Sequence, residues 1–188
     1  MGWLLLALHL VFWSPMILRI ARRKTPETTI VDELKSSYRI PGLLMYWLGN
    51  PLIWIGLATR AWTSSVDPAF TVPALIGLVL QVVAIGLMFW AFAVHRSWNI
   101  EPRLEPDHQL CIIGPYGLVR HPIYVAFDLL GLGAAILAPG PAVILGALLL
   151  IIGGDLRARA EETVLTEAFG DHYRTYMRRV NRAIPGVY

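Results

Sequence analysis

Apolar runs long enough to cross a bilayer constrain this chain more than any other feature. Three of them, residues 3–20, 40–61 and 71–94, approach the ~20 residues that a spanning helix needs. Two shorter runs, 123–138 and 141–153, flank the turn signal Pro139-Gly140-Pro141. They predict a tight helical hairpin, which spans a thin region or gains length by continuing into polar turns. Pro51, inside the second run, predicts a kink there. The expected fold class is an all-α integral membrane protein with about five transmembrane helices. The last two form the hairpin, and a cytoplasmic C-terminal helix follows.

Composition agrees. Of 188 residues, 56% are hydrophobic and 15% charged, against about a quarter charged in a soluble domain. A removable signal peptide is excluded for the first run. It lacks a basic lead and a small-residue cleavage site, and Arg19, Arg22, Arg23 and Lys24 follow it. The single Cys111 leaves no internal disulfide to form. The formal charge of +3 is no nucleic-acid signature, because the basic residues sit at segment ends beside anionic headgroups. No histidine, cysteine or acidic spacing resembles a metal site, and no P-loop or dinucleotide fingerprint occurs.

Loop charge predicts orientation. Residues 19–39 are basic, as are the segments after the third and fifth runs. The loops around 64–68 and 139–141 carry no Lys or Arg, apart from Arg60 near the second run's end. The N-terminus is then expected outside, with the C-terminus in the cytoplasm. The chain divides at residue 94, into a three-helix membrane region (1–94) and a catalytic region (95–188). A short helix is expected near 29–36 as a solvated connector. Residues 155–180 read as a helix, with Phe169, Tyr173, Tyr176 and Val180 on one apolar stripe. Arg174, Arg178 and Arg182 recur every four on another face, near lipid phosphates, and Gly170 predicts a break. Membrane lipids are thus expected partners.

Two chemically dense segments interrupt this apolar plan. The first holds Gly114-Pro115-Tyr116-Gly117, then Arg120-His121-Pro122-Ile123-Tyr124. Pro122 suits the first turn of a helix. That helix start would turn backbone donors toward a polar or anionic ligand. Tyr116 and Tyr124 offer an aromatic face plus a hydroxyl. The competing reading makes these residues interface anchors. The second segment starts at Gly153-Gly154 and holds Arg157, Arg159, Glu161 and Glu162. Arg157 and Glu161 share a helix face and can pair, as can Arg159 and Glu162. Ionisable groups directly after a span also commonly face a site. The hairpin brings the two segments together. His9 is expected to pack or bond within its helix, and His95 and His172 to lie at an interface or surface. Asp128 is a polar anomaly in the fourth run, either bonding a neighbour or lining a cavity.

The order of blocks is itself informative: His108-Gln109-Leu110, Gly114-Pro115-Tyr116, Arg120 to Tyr124, a hairpin, Arg157, Glu161-Glu162, Leu165, Phe169-Gly170, Tyr173, Tyr176 and Pro185. Over about residues 95–188 the chain resembles the isoprenylcysteine carboxyl methyltransferase and phospholipid methyltransferase superfamily of membrane enzymes. The resemblance implies a cytoplasmic S-adenosylmethionine site contacted by His108, Gln109, Leu110, Cys111, Tyr116, His121, Pro122, Ile123, Tyr124 and Glu161. Glu101 falls where those enzymes place a cofactor-contacting glutamine, a departure from the pattern. Arg157 falls on the position holding the acceptor's reacting group.

The candidate catalytic residues are therefore Arg157, Glu161 and Glu162. Arg157 suits a bidentate grip on a carboxylate. Such a nucleophile needs no base, whereas an amine or thiol would need Glu162 or His121. The expected function is methyl transfer from S-adenosylmethionine to a lipid-like or small hydrophobic acceptor, with O-methylation of an isoprenylcysteine-type carboxylate favoured. The alternatives are an NADPH-dependent ene- or sterol-type reductase and a non-catalytic protein of the same fold. Neither metal nor nucleic acid is expected as a partner.

Overall fold

The computed structural model describes residues 2–21, 39–63, 71–95 and 110–188. Six α-helices occur among them: α1 (Gly2–Ala21), α2 (Arg39–Thr63), α3 (Val72–Val94), α4 (Pro122–Leu137), α5 (Pro141–Phe169) and α6 (Asp171–Arg179). Four of these (α1, α2, α3 and α5) are long and apolar enough to cross a membrane, and α4 is a shorter apolar helix. The expected short helix at 29–36 lies outside the described residues.

Local chemistry sets the helix starts. Thr71 caps α3, its Oγ1 accepting from the Ala74 N–H at 3.3 Å. Pro122 and Pro141 open α4 and α5, where a missing N–H costs nothing. Pro51 sits inside α2, and the helix continues through it.

The largest departure from expectation is α5. The sequence divides it into a short span ending at 153 and a separate amphipathic helix from 155. The structure makes one helix of 29 residues, roughly 43 Å long at 1.5 Å per residue. That exceeds the ~30 Å hydrocarbon core by roughly nine residues' length, so one continuous rod can both cross the apolar layer and project beyond it. Gly153 and Gly154 do not end the helix, and Gly153 serves packing. A Cβ on Gly153 would lie 2.9 Å from Met45 Cβ and 3.1 Å from the Gly42 carbonyl oxygen on α2. One on Gly146 would lie 2.7 Å from the Gly49 carbonyl oxygen. Small residues let these two backbones approach, as membrane helix pairs require when lipid tails are as apolar as leucine. The rod ends at Gly170, whose φ of 54° only glycine adopts freely.

The helices close around Phe127 of α4. Phe12 and Trp13 of α1 and Tyr46 of α2 meet its ring edge-on, at centroid distances of 4.9, 5.2 and 5.2 Å. The Gln81 amide on α3 donates to the Leu130 carbonyl at 2.8 Å, pinning α3 to α4. His9 behaves as expected: it is buried, and its Nδ1 lies 2.9 Å from the Leu5 carbonyl oxygen, one turn earlier. The outward faces of α1 to α3 expose Trp3, Leu10, Trp47, Trp62, Leu75 and Trp90. So much exposed apolar surface suits lipid rather than water.

Candidate functional site

The hairpin places the α4 start beside the polar part of α5. His121, Tyr124 and Asp128 fall on one face of α4 and its cap, three and four residues apart. Gly154, Arg157 and Glu161 fall on the facing side of α5, likewise three and four apart. Because the helices run antiparallel, His121 meets Glu161 at the outer end and Asp128 meets Gly154 at the inner end.

Five of the expected site residues form one chain of contacts. The Tyr124 hydroxyl donates to Glu161 Oε1. Arg157 Nε donates to the Tyr124 hydroxyl at 3.1 Å. His121 Nδ1 lies 3.4 Å from Glu161 Oε2, and its Nε2 lies 3.2 Å from Glu162 Oε1. The His121 ring stacks on Tyr124. The Arg157 guanidinium carbon sits 5.7 Å from the Tyr124 ring centroid and 5.8 Å from that of Tyr46. Tyr46 arrives from α2 and was missed in the sequence. Gly42, Gly49 and Gly56 recur every seven residues there, a signal for the α2 face that meets α5.

Both nitrogens of His121 face carboxylates, and only the imidazolium donates from both. Burial pulls its pKa down, but the hydrogen bonds and charges of Glu161 and Glu162 outweigh burial and hold it above the ordinary value. A raised folded pKa adds stability that is fully present below the unfolded value of ~6.5. That stability is lost as pH rises through the folded value. Denaturation of the ligand-free protein across this range should therefore show stability falling with rising pH. His121→Gln should flatten the dependence, and an unchanged slope in that variant would refute the assignment.

Glu162, joined to this chain through His121, also holds an ion cluster. Its Oε1 takes Arg120 Nε at 2.9 Å and Arg182 Nε at 3.0 Å, and its Oε2 takes Arg182 Nη2 at 2.6 Å. Arg182 also reaches Asp155 at 3.2 Å, and the Tyr188 hydroxyl donates to Asp155 at 2.7 Å. Arg182 was expected on a lipid-facing stripe with Arg174 and Arg178. The structure corrects this: α6 stops at Arg179, so the helical period no longer applies at 182. Instead the chain runs beside residues 119–121. The Arg120 N–H donates to the Asn181 carbonyl at 2.8 Å, and the His121 N–H to that of Arg182 at 3.2 Å. Two backbone donors at the α4 start are thus already taken. Arg159 pairs with Asp155 at 2.7 Å, not with Glu162.

The remaining candidates divide. Pro122 and Ile123 are buried in the first turn of α4. Tyr116 is buried in the 3-10 turn Gly114–Gly117, its carbonyl accepting from the Tyr176 hydroxyl at 2.5 Å. The Tyr116 hydroxyl lies 2.9 Å from His95 Nδ1, so His95, half-buried at the end of α3, joins this wall. Burial raises the Tyr116 pKa well above its usual value, with the charges of Cys111 and Glu161 adding to it. Leu110 and Cys111 are half-buried beside the end of α3, where the Cys111 thiol meets the Val94 carbonyl at 3.9 Å. Glu101, His108 and Gln109 lie outside the described residues. His172 is exposed, as expected.

Comparison with known proteins bears on this arrangement. The model of the isoprenylcysteine carboxyl methyltransferase (ICMT) family matches residues 75–167. A protein-S-isoprenylcysteine O-methyltransferase of Schizosaccharomyces pombe is 38% identical over 90 residues, covering 47% of this chain. The chain therefore spans 38% of the length of that relative. Protein-S-isoprenylcysteine O-methyltransferase B of Arabidopsis thaliana is 26% identical over 188 residues, covering 97% of this chain and 91% of that protein. Nothing in these matches supports the reductase alternative. The family match spans α3, the 3-10 turn, α4 and nearly all of α5, the elements that carry most of the contacts described above. With its membrane-length helices and its ordered motif blocks, the chain is similar to the isoprenylcysteine carboxyl methyltransferase family.

Proposed function

We propose that the protein moves a methyl group from S-adenosylmethionine to the carboxylate of a lipid-like, isoprenylcysteine-type acceptor. The observation that supports this most is the chain His121–Glu161–Tyr124–Arg157, which sets a carboxylate and a guanidinium on opposite sides of one tyrosine hydroxyl. The residues suit the methyl donor. The Glu161 side chain keeps 24% of its surface exposed while held by Tyr124 and His121. It therefore offers a fixed acceptor for an ammonium or ribose hydroxyls. Tyr116, Tyr124 and His121, with Pro122 and Ile123, supply flat and apolar walls. Leu110 and Cys111 border the same side, and Glu101, His108 and Gln109 complete the proposed contacts.

When bound, S-adenosylmethionine supplies an electrophilic methyl group on a sulfonium. This chain's task is then alignment and exclusion of water. Arg157 orients the acceptor carboxylate, which is already a nucleophile and needs no base. Both oxygens of Glu162 are occupied by arginines, so its role is to hold the site together rather than to move a proton. The lipid tail enters sideways between helices from the bilayer.

S-adenosylhomocysteine at 100 times its dissociation constant is expected to stabilise the protein by ~2.7 kcal/mol in a detergent thermal shift. Glu161→Ala is expected to abolish that gain. Stabilisation by NADPH in place of S-adenosylhomocysteine would overturn the reading. The proposed site faces the cytoplasm with the C-terminus, because the basic loops prefer that side. Protease protection of a C-terminal tag in sealed, cytoplasmic-side-out vesicles would contradict this orientation.

A further inference from the structure

The end of α3 reaches the tip of the Tyr116 ring through His95. Gly114, in the left-handed region at φ 59°, brings the 3-10 turn against this helix end. A Cβ there would lie 3.1 Å from Trp90 Nε1 and 3.2 Å from Val94 Cγ1. The Tyr116 main chain is fixed from two sides. Its N–H donates to the Ile113 carbonyl at 3.2 Å, and its carbonyl accepts from the Tyr176 hydroxyl of α6. His95 is the C-cap of α3, and its own N–H donates to the Ala91 carbonyl at 3.0 Å. Its Nδ1 lies 2.9 Å from the Tyr116 hydroxyl, and the two rings meet edge-on, with centroids 5.1 Å apart and planes at 81°. Both side chains spring from pinned backbone, so this bond fixes where the hydroxyl points.

We infer that His95 is a positioning residue for the methyl-donor site, fixing the direction of the Tyr116 hydroxyl and acting on the donor only through Tyr116. The inference rests on the methyl-transfer reading above. Its chemistry follows from counting hydrogens. Burial holds the Tyr116 pKa well above its usual value, so the group stays a phenol with one hydrogen and two lone pairs. When His95 Nδ1 accepts, the phenol hydrogen is taken, and lone pairs remain for hydroxyl or amino groups of the methyl donor. When Nδ1 carries a hydrogen, the phenol keeps its own to give. In both states the tyrosine meets its ligand in one orientation rather than as a free rotor, which lowers the ordering cost of binding. The competing role is structural, with His95 only holding the 3-10 turn on α3.

The test uses the full chain in lipid nanodiscs and reads S-adenosylhomocysteine affinity by calorimetry. His95→Phe and Tyr116→Phe are each expected to weaken binding by about 5- to 10-fold, the scale of one net hydrogen bond. The double variant should bind no more weakly than either single one, because both changes remove the same bond. His95→Asn places an amide within reach of the hydroxyl and should bind within roughly threefold of wild type. The KM for S-adenosylmethionine should rise in step with the loss of affinity, while the acceptor KM at saturating S-adenosylmethionine stays unchanged. A structural role predicts losses that multiply in the double variant, lower ligand-free stability and no rescue by Asn, and that pattern would overturn the inference. Wild-type affinity in His95→Phe would overturn it too. If His95→Phe does not fold, His95→Asn in the Tyr116→Phe background carries the test. No further loss is expected there, and an added loss with the hydroxyl already absent would overturn the inference. Absence of S-adenosylhomocysteine binding by wild type would instead overturn the methyl-donor reading, and this inference with it.

Discussion

Arg157→Ala is expected to abolish useful methyl transfer while sparing the methyl-donor site. Arg157 is buried, and its Nε is hydrogen-bonded to Tyr124. If its terminal nitrogens grip the acceptor carboxylate, truncation leaves that carboxylate desolvated and unpaired. Losses of this kind cost about 2–5 kcal/mol. At ~1.36 kcal/mol per decade, kcat/KM falls roughly 30- to several-thousand-fold. Stabilisation by S-adenosylhomocysteine should persist, because Glu161 keeps His121 as a partner. Arg157→Lys keeps the charge but loses the planar fork, so it should not rescue more than part of the rate. Full turnover of an isoprenylcysteine-type acid by Arg157→Ala would remove Arg157 from the proposed role.

Glu162→Ala is expected to give the largest loss of stability. Its carboxylate is shared by Arg120, Arg182 and His121, and the Glu162, Arg120 and Arg182 side chains are only 11%, 11% and 15% exposed. Removing this anion leaves three mutually repelling, poorly solvated cationic groups, offset in part by Asp155 beside Arg182 and Glu161 beside His121. Breaking a buried pair from one side costs about 3–5 kcal/mol. The same cluster fastens the segment after α6 to the α4 start, so its loss also frees that connection. Arg159→Ala is the control. It breaks a pair whose side chains are 42% and 31% exposed, expected to be worth less than about 1 kcal/mol. Denaturant titration in mixed micelles reads both. If Glu162→Ala keeps wild-type stability yet loses turnover, Glu162 acts in the chemistry and the structural role assigned to it is wrong.

These two residues show how differently the site was legible. Arg157 was marked by position alone: an arginine directly after a span, one hairpin from His121. Glu162 was equally visible, but its neighbours were not. Arg182 looked like the third member of an every-four stripe with Arg174 and Arg178. That period holds only while the chain is helical, and α6 ends at Arg179. Tyr46 and the seven-residue glycine row on α2 escaped notice because residue spacing within one span says nothing about which helix it meets.

Sequence alone determined the local quantities. Runs of apolar residues set the helices, Pro122 and Pro141 set two of their starts, and Gly170 set a break, because each depends on backbone chemistry within a few residues. The hairpin turn, Pro139-Gly140-Pro141, was enough to bring His121 toward Glu161. Tertiary structure decided what depends on contacts between distant segments. It fused the fifth run with the helix after it, because Gly146 and Gly153 answer to the approach of α2 rather than to a chain reversal. It also separated two adjacent glutamates, turning Glu161 toward Tyr124 and locking Glu162 between two arginines. Neighbouring helix positions point about 100° apart, so one step along α5 moves a carboxylate from the proposed methyl-donor site into the ion cluster.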